Sequence, residues 1–124
     1  MEVKPGEIYW VTITPSQTVG SEQHNRRPYV IVSRLKINRT SPIVVGIPLT
    51  TTRADQVQPP HRIQIPANEI VPDALFRGAI SNSVALTDQV RALDKKRLET
   101  KMGNLSDTAL AAVGLGLLYL FDLR

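Results

Sequence analysis

The segment Ile8-Tyr9-Trp10-Val11-Thr12-Ile13-Thr14 is dense in β-branched and aromatic residues and stands between Pro5-Gly6 and Pro15. This is the pattern of a strand set between breakers, and it recurs along the chain. Tyr29-Val30-Ile31-Val32-Ser33 begins behind Pro28, after a polar loop from Ser16 to Arg27. Ile43-Val44-Val45-Gly46-Ile47-Pro48-Leu49 follows a second loop from Arg34 to Pro42. His61-Arg62-Ile63-Gln64-Ile65 alternates polar and apolar residues, as a strand with one wet face does, and Ser83-Val84-Ala85-Leu86 continues the sheet. Five short strands joined by turns predict a mainly β fold, a small barrel.

Only the end of the chain reads differently. Ser106 can accept a backbone N–H bond as an N-cap, and Asp107 suits the positive end of a helix, so a helix is expected from Asp107 to about Phe121. Leu110, Val113, Leu117 and Leu120 recur at helical spacing, and Leu118 and Phe121 widen the stripe that must be buried. Gly114 and Gly116 weaken this helix by about 1 kcal/mol each relative to alanine, so it needs packing against the barrel or a second subunit.

A length of 124 residues suits one domain, 1–124, and is short for two cores of ordinary size. The sequence has no internal repeat, low-complexity segment or linker. The absence of cysteine rules out disulfides, thiolate zinc sites and cysteine nucleophiles, leaving hydroxyl, guanidinium, carboxylate and imidazole chemistry. Met1-Glu2-Val3-Lys4-Pro5 lacks the apolar stretch of a secretory signal, so a cytoplasmic location is expected. The apolar run from Ala109 to Phe121 is shorter than the roughly 20 residues of a membrane span. A net charge of +4 favours an anionic partner, either nucleic acid or an acidic protein segment.

Two stretches stand out chemically. Gly20-Ser21-Glu22-Gln23-His24-Asn25-Arg26-Arg27-Pro28 delivers two arginines to the start of a strand, where a planar guanidinium can donate paired hydrogen bonds to phosphate oxygens. Solvated loop arginines are the plainer reading. Pro48-Leu49-Thr50-Thr51-Thr52-Arg53 brings hydroxyls and a further arginine to the end of the third strand, where threonines are also ordinary β-formers.

Together with Pro5-Gly6-Glu7-Ile8-Tyr9-Trp10-Val11 and Val84-Ala85-Leu86-Thr87-Asp88-Gln89-Val90, these stretches resemble the successive blocks of MazF/PemK toxins, in the same order from Pro5 to Leu98. The closing helix matches by position rather than by sequence. The resemblance implies an SH3-like barrel of five or six strands, a homodimer, and an endoribonuclease that cuts single-stranded RNA and is restrained by an antitoxin. It places the family's catalytic arginine at Arg27 and its catalytic threonine at Thr50, and the Gly-Ser-Glu-Gln loop at Ser21, Glu22 and Gln23. Gln89 matches a position that can contact RNA, whereas Asp88 can equally brace the sheet.

RNA carries its own nucleophile, the 2′-hydroxyl, so an enzyme need only move protons and stabilise charge on the phosphorane. No metal or other cofactor is expected. Arg27 suits charge stabilisation, since a pKa above about 12 makes it a reluctant acid. Thr50 can hydrogen-bond the same phosphate but is too weak a base alone, which leaves Glu22 as the nearest candidate base. Its carboxylate can instead read a base edge or stay solvated. RNA-contacting candidates are Ser21, Gln23, His24, Asn25, Arg26, Thr51, Arg53 and Gln89.

His24 would titrate near neutrality beside a phosphate, or stand solvated in its loop; His61 reads as a strand-start residue outside the chemistry. Trp10 and Tyr29 can stack on unpaired bases, but with so few aromatics Trp10 is needed more in the core. Two other functions compete with cleavage. One is a toxin of the same barrel that binds DNA gyrase; such proteins end in Trp-Gly-Ile, whereas this chain ends Asp122-Leu123-Arg124. The other is a non-catalytic SH3-like RNA-binding module, which has no need of Arg27 and Thr50 at these positions.

Overall fold

The computed structural model describes residues 2–14, 16, 18–22, 25–52 and 57–123. Eight short strands alternate with turns: β1 (Glu7–Ile13), β2 (Asn25–Ile31), β3 (Ile43–Thr51), β4 (Ile63–Ile65), β5 (Ile70–Pro72), β6 (Ser83–Ala85), β7 (Arg91–Asp94) and β8 (Lys101–Leu105). A six-residue helix, α1 (Leu35–Thr40), lies between β2 and β3, and α2 (Asp107–Leu120) closes the chain. The strands pair antiparallel in the order β4-β6-β3-β2-β1-β8-β5, with β7 joined to β3. The sheet curls into a nearly closed barrel because β3 is long enough to change partners. Its first half pairs with β7, from Ile43↔Asp94 to Gly46↔Arg91, and its last residues pair with β6, from Leu49↔Ala85 to Thr51↔Ser83.

The mainly β barrel with a C-terminal helix is therefore the architecture expected, built from more and shorter strands than the five or six anticipated. The three strands at its centre are buried on both faces. Ile8, Val30, Ile47, Leu49 and Met102 pack inward with Ala109 and Val113 of α2. Tyr9, Val11, Tyr29, Ile31, Val44 and Leu93 form a second cluster on the opposite face. Burial on both sides explains why Tyr29-Val30-Ile31 is continuously apolar rather than alternating.

β2 starts earlier than its composition suggests. Asn25-Arg26-Arg27-Pro28, expected in the loop, is strand: Val11 pairs with Arg27 and Thr12 with Arg26. Proline is tolerated here because Trp10, its partner, turns both backbone groups the other way, donating to the Thr100 carbonyl at 3.0 Å and accepting from Glu99 N–H at 2.8 Å. Trp10↔Pro28 is thus a pair without ladder bonds, and the missing N–H of Pro28 costs β1 nothing. Asn25 takes a left-handed φ of 70°, which asparagine tolerates better than most residues, and so turns the chain out of the loop into the strand.

The helix α2 begins as expected: the Ser106 hydroxyl accepts from Ala109 N–H at 3.1 Å. Its buried face differs from the leucine stripe. Ala109, Val113 and Gly116 are fully buried, Leu110 and Leu117 pack beside them, and Phe121 is exposed. Small residues at the contact let the helix lie close to β4. At Gly116 a Cβ would stand 2.9 Å from the His61 carbonyl oxygen and 2.9 Å from the Ile63 side chain. Among the described residues no helix is long and apolar enough to cross a membrane.

Candidate functional site

The site is fixed by the register of β2 against β3. Tyr29 pairs with Pro48, so two steps toward the start of β2 and two toward the end of β3 bring Arg27 opposite Thr50. Residues facing each other across antiparallel strands project to the same side, and the Arg27 Nη1 atom lies 3.5 Å from Thr50 Oγ1. That is the outer limit of a hydrogen bond. The Nε of the same guanidinium is buried and has no partner. Among the described residues no carboxylate lies within ion-pairing distance of Arg27. A guanidinium left this short of acceptors, beside a hydroxyl, can receive an anionic oxygen.

Thr50 and Thr51 sit on β3, paired with Val84 and Ser83, rather than leaving the sheet as their position behind Leu49 suggests. Adjacent residues of a strand face opposite ways, so Thr51 joins Leu49 on the barrel's inner face while Thr50 joins Arg27. At this end the barrel mouth holds a cleft of about 150 Å³, bordered by Trp10, Arg27, Pro28, Thr50, Thr51 and Ile80 among others. The same alternation sends Arg26 away from Arg27. Its guanidinium stacks 4.5 Å from the centre of the Trp10 ring and pairs with Glu99 at 2.9 Å, and Thr12 Oγ1 donates to that carboxylate at 2.8 Å. The bond from Arg26, with that from Thr12, holds the Glu99 carboxyl below its ordinary range. Trp10 serves in part as core, packed against the inner cluster, and in part as a wall of the cleft.

The Gly20 loop is organised by Glu22. Its Oε1 accepts from Val19 N–H at 2.7 Å and its own N–H donates to the Val19 carbonyl at 3.2 Å, which closes a turn on the surface. Gln89 Nε2 reaches the Ser21 carbonyl at 3.4 Å, tying this loop to the one-turn 3₁₀ helix at Thr87–Gln89. Ser21, Glu22 and Gln89 are thereby neighbours. Gln23, His24 and Arg53 lie outside the described residues. Asp88 braces the sheet: Arg62 grips its two oxygens at 3.1 and 2.9 Å, and His61 Nε2 stands 3.7 Å away. The Arg62 bond, ahead of the opposing effect of burial, lowers the Asp88 carboxyl below its ordinary value.

One participant goes unnoticed in the sequence. Burial raises the Tyr29 hydroxyl above its ordinary pKa, against the opposing charges of Arg91 and Arg27. Arg91, at the start of β7, is thus a second cation whose charge, with that of Arg27, acts on this phenol. The signal available was that Arg91 stands two residues after Gln89, on a strand too short to stand out.

These features define a class: a small, nearly closed antiparallel barrel with one closing helix and an anion-receptive arginine–threonine pair at its mouth. Residues 4–121 match the family model described as PemK-like, MazF-like toxin of type II toxin-antitoxin system, and the chain belongs to that family. Similar solved structures include a MazF from Deinococcus radiodurans, 26% identical over 98% of both chains, with a TM-score of 0.74. An endoribonuclease in complex with its cognate antitoxin from a Mycobacterial species is 20% identical over 98% of this chain and 97% of its own, with a TM-score of 0.68. A MazE-MazF complex from Deinococcus radiodurans is 22% identical over 98% of both chains, with a TM-score of 0.69.

Proposed function

We propose that this toxin is a sequence-specific endoribonuclease that cuts single-stranded RNA without a ribosome and without a metal, and that it acts as one domain, 1–124, in a homodimer in the cytoplasm. The observation that carries the reading is the Arg27–Thr50 pair, a guanidinium with an unpartnered buried Nε beside a hydroxyl 3.5 Å from its Nη1. In the reaction the ribose 2′-hydroxyl attacks the adjacent phosphorus and the bond to the 5′-oxygen breaks. The products are a 2′,3′-cyclic phosphate and a 5′-hydroxyl end.

Arg27 donates to the phosphoryl oxygens and stabilises the charge that grows on them, which a preorganised donor does best in a partly buried site. Thr50 hydrogen-bonds the same group. Glu22 is the candidate base for the 2′-hydroxyl proton; its loop is shaped by the Val19 N–H bond to its carboxylate and joined to Gln89 through Ser21. Ser21, Gln23, His24, Asn25, Arg26, Thr51, Arg53 and Gln89 contact the RNA strand. A cognate antitoxin with an acidic and apolar segment covers this groove and blocks the phosphate site, in keeping with the net charge of +4.

The test is cleavage of a long single-stranded RNA in excess EDTA, with the new ends mapped. Cutting at one short motif with cyclic phosphate ends, abolished in Arg27→Ala, is expected. A pure native protein that cuts nothing, or an Arg27→Ala protein that cuts equally well, defeats the proposal.

A further inference from the structure

We propose that the cleft at the barrel mouth is a pocket for one unpaired nucleobase of the nucleotide adjoining the phosphate at Arg27, and that it sets sequence preference there; this rests on the ribonuclease reading above. Its volume is about 150 Å³, the share of about five water molecules at ~30 Å³ each, which suits a single planar heterocycle and is well below a drug-sized site of at least ~300 Å³. Its walls are chemically divided. Trp10, Ile80 and Met102 offer apolar surface, while Thr51, Ser81 and Ser83 offer hydroxyls. That is what a base requires, a π-face to be covered and an edge to be hydrogen-bonded.

The indole is held in place rather than free to turn. Arg26 stacks on its ring, Glu99 fixes Arg26, and Thr12 fixes Glu99. Of the hydroxyls, Ser83 donates to the Ser81 carbonyl at 3.1 Å, and those of Thr51 and Ser81 make no side-chain hydrogen bond among the described residues. Each can donate or accept, so the set can select among base edges. Arg27 and Thr50 form one border of the same cleft, so a base seated there belongs to a nucleotide next to the phosphate they hold. A base stacked within a duplex and paired along its edge cannot offer both face and edge to the cleft bordered by Trp10 and Ile80. The pocket therefore also explains a requirement for single strands.

Trp10 is the sole tryptophan, so its emission reports on the pocket directly. The probes are short oligoribonucleotides carrying a cut site made inert by a 2′-deoxy sugar, with each of the four bases or an abasic sugar on either side of that phosphate. At one of the two positions the abasic probe is expected to bind about tenfold or more weakly, the loss of one base–aromatic stack, and to leave Trp10 emission unchanged. Ser81→Ala reorders the preference among the four bases at that position alone, and Ile80→Phe, which fills the cleft, abolishes it while binding elsewhere along the strand persists. Full affinity for both abasic probes, or Trp10 emission unmoved by any base, overturns the proposal. Failure of the ribonuclease reading looks different: base-dependent quenching of Trp10 by poly(U), poly(A) or poly(C) with no cleavage of any RNA leaves the pocket and removes the chemistry.

Discussion

Arg27 and Thr50 face each other across β2 and β3 with 3.5 Å between Nη1 and Oγ1, while the Nε of the same guanidinium is buried with no partner. The pair is under-bonded by itself. A buried donor without an acceptor costs about 1–3 kcal/mol, and folding alone gives no reason to keep it. Under the proposed function an incoming phosphate would supply the missing acceptors, and the penalty of the free protein would become part of the binding energy of the substrate.

Arg27→Met separates the two contributions. It keeps an unbranched apolar stem against the barrel and removes the unpartnered donor. Its urea unfolding free energy is expected within about 1 kcal/mol of the native value or above it, while RNA cleavage is lost. A marked fall in stability would mean that the arginine is a structural residue and that its loss of activity reports unfolding.

Glu22→Gln tests the base. The amide oxygen still accepts the Val19 N–H that shapes the loop, now made at 2.7 Å by the carboxylate, so substrate binding is preserved. Removing a general base lowers kcat by about 10²–10⁴-fold with KM little changed. If the variant turns over at the native rate, proton removal belongs to another group and Glu22 is a loop residue only.

Asp88 makes a stability prediction with a defined sign. Its folded-state pKa lies below its ordinary value of 3.8, chiefly through the Arg62 hydrogen bond, so the carboxylate form is favoured by folding. The contribution is complete above the unfolded value and disappears as pH falls through the lower folded one. Asp88→Asn is therefore expected to be less stable than native at pH 7, with the difference closing below about pH 4. Urea melts at pH 7 and pH 3 measure it; a gap of the same size at both shows that charge is not what Arg62 reads.

How much of this was legible in the sequence depended on whether a segment's structure is decided locally. Ile8 to Ile13 and Ile43 to Leu49 announce themselves because their β-branched runs are bounded by breakers. The polar start of β2 does not, because Asn25-Arg26-Arg27 becomes strand only through its pairing with Ile13, Thr12 and Val11. The helix α1 is likewise tertiary in origin. It has no acidic first turn and no side-chain cap, and Asn38 secures it by donating to the carbonyls of Val3 at 3.1 Å and Ser33 at 2.9 Å. For β8, Gly103-Asn104 interrupts any apolar pattern, and Gly103 is needed because a Cβ would collide with the Val71 carbonyl oxygen. Arg27 and Thr50 were legible as positions in family motifs. Their facing geometry and the bordering cleft follow from register, which no single segment encodes.

The two interior glycines of α2 are expected to respond oppositely to the same substitution. From propensity alone each Gly→Ala change gains about 1 kcal/mol, since alanine is the better helix former and restricts the unfolded chain more. At Gly114 nothing stands within 4 Å of the new Cβ, so Gly114→Ala should raise stability by about that amount. At Gly116 the Cβ would meet the His61 backbone oxygen at 2.9 Å and Ile63 Cγ1 at 2.9 Å, contacts that force the helix away from β4. Overpacking of this kind costs about 1–3 kcal/mol, which exceeds the gain in propensity, so Gly116→Ala should be destabilised. Thermal melts of the two variants decide the matter, because a stabilised Gly116→Ala protein would mean that α2 is free to shift on the barrel and is not seated by that contact.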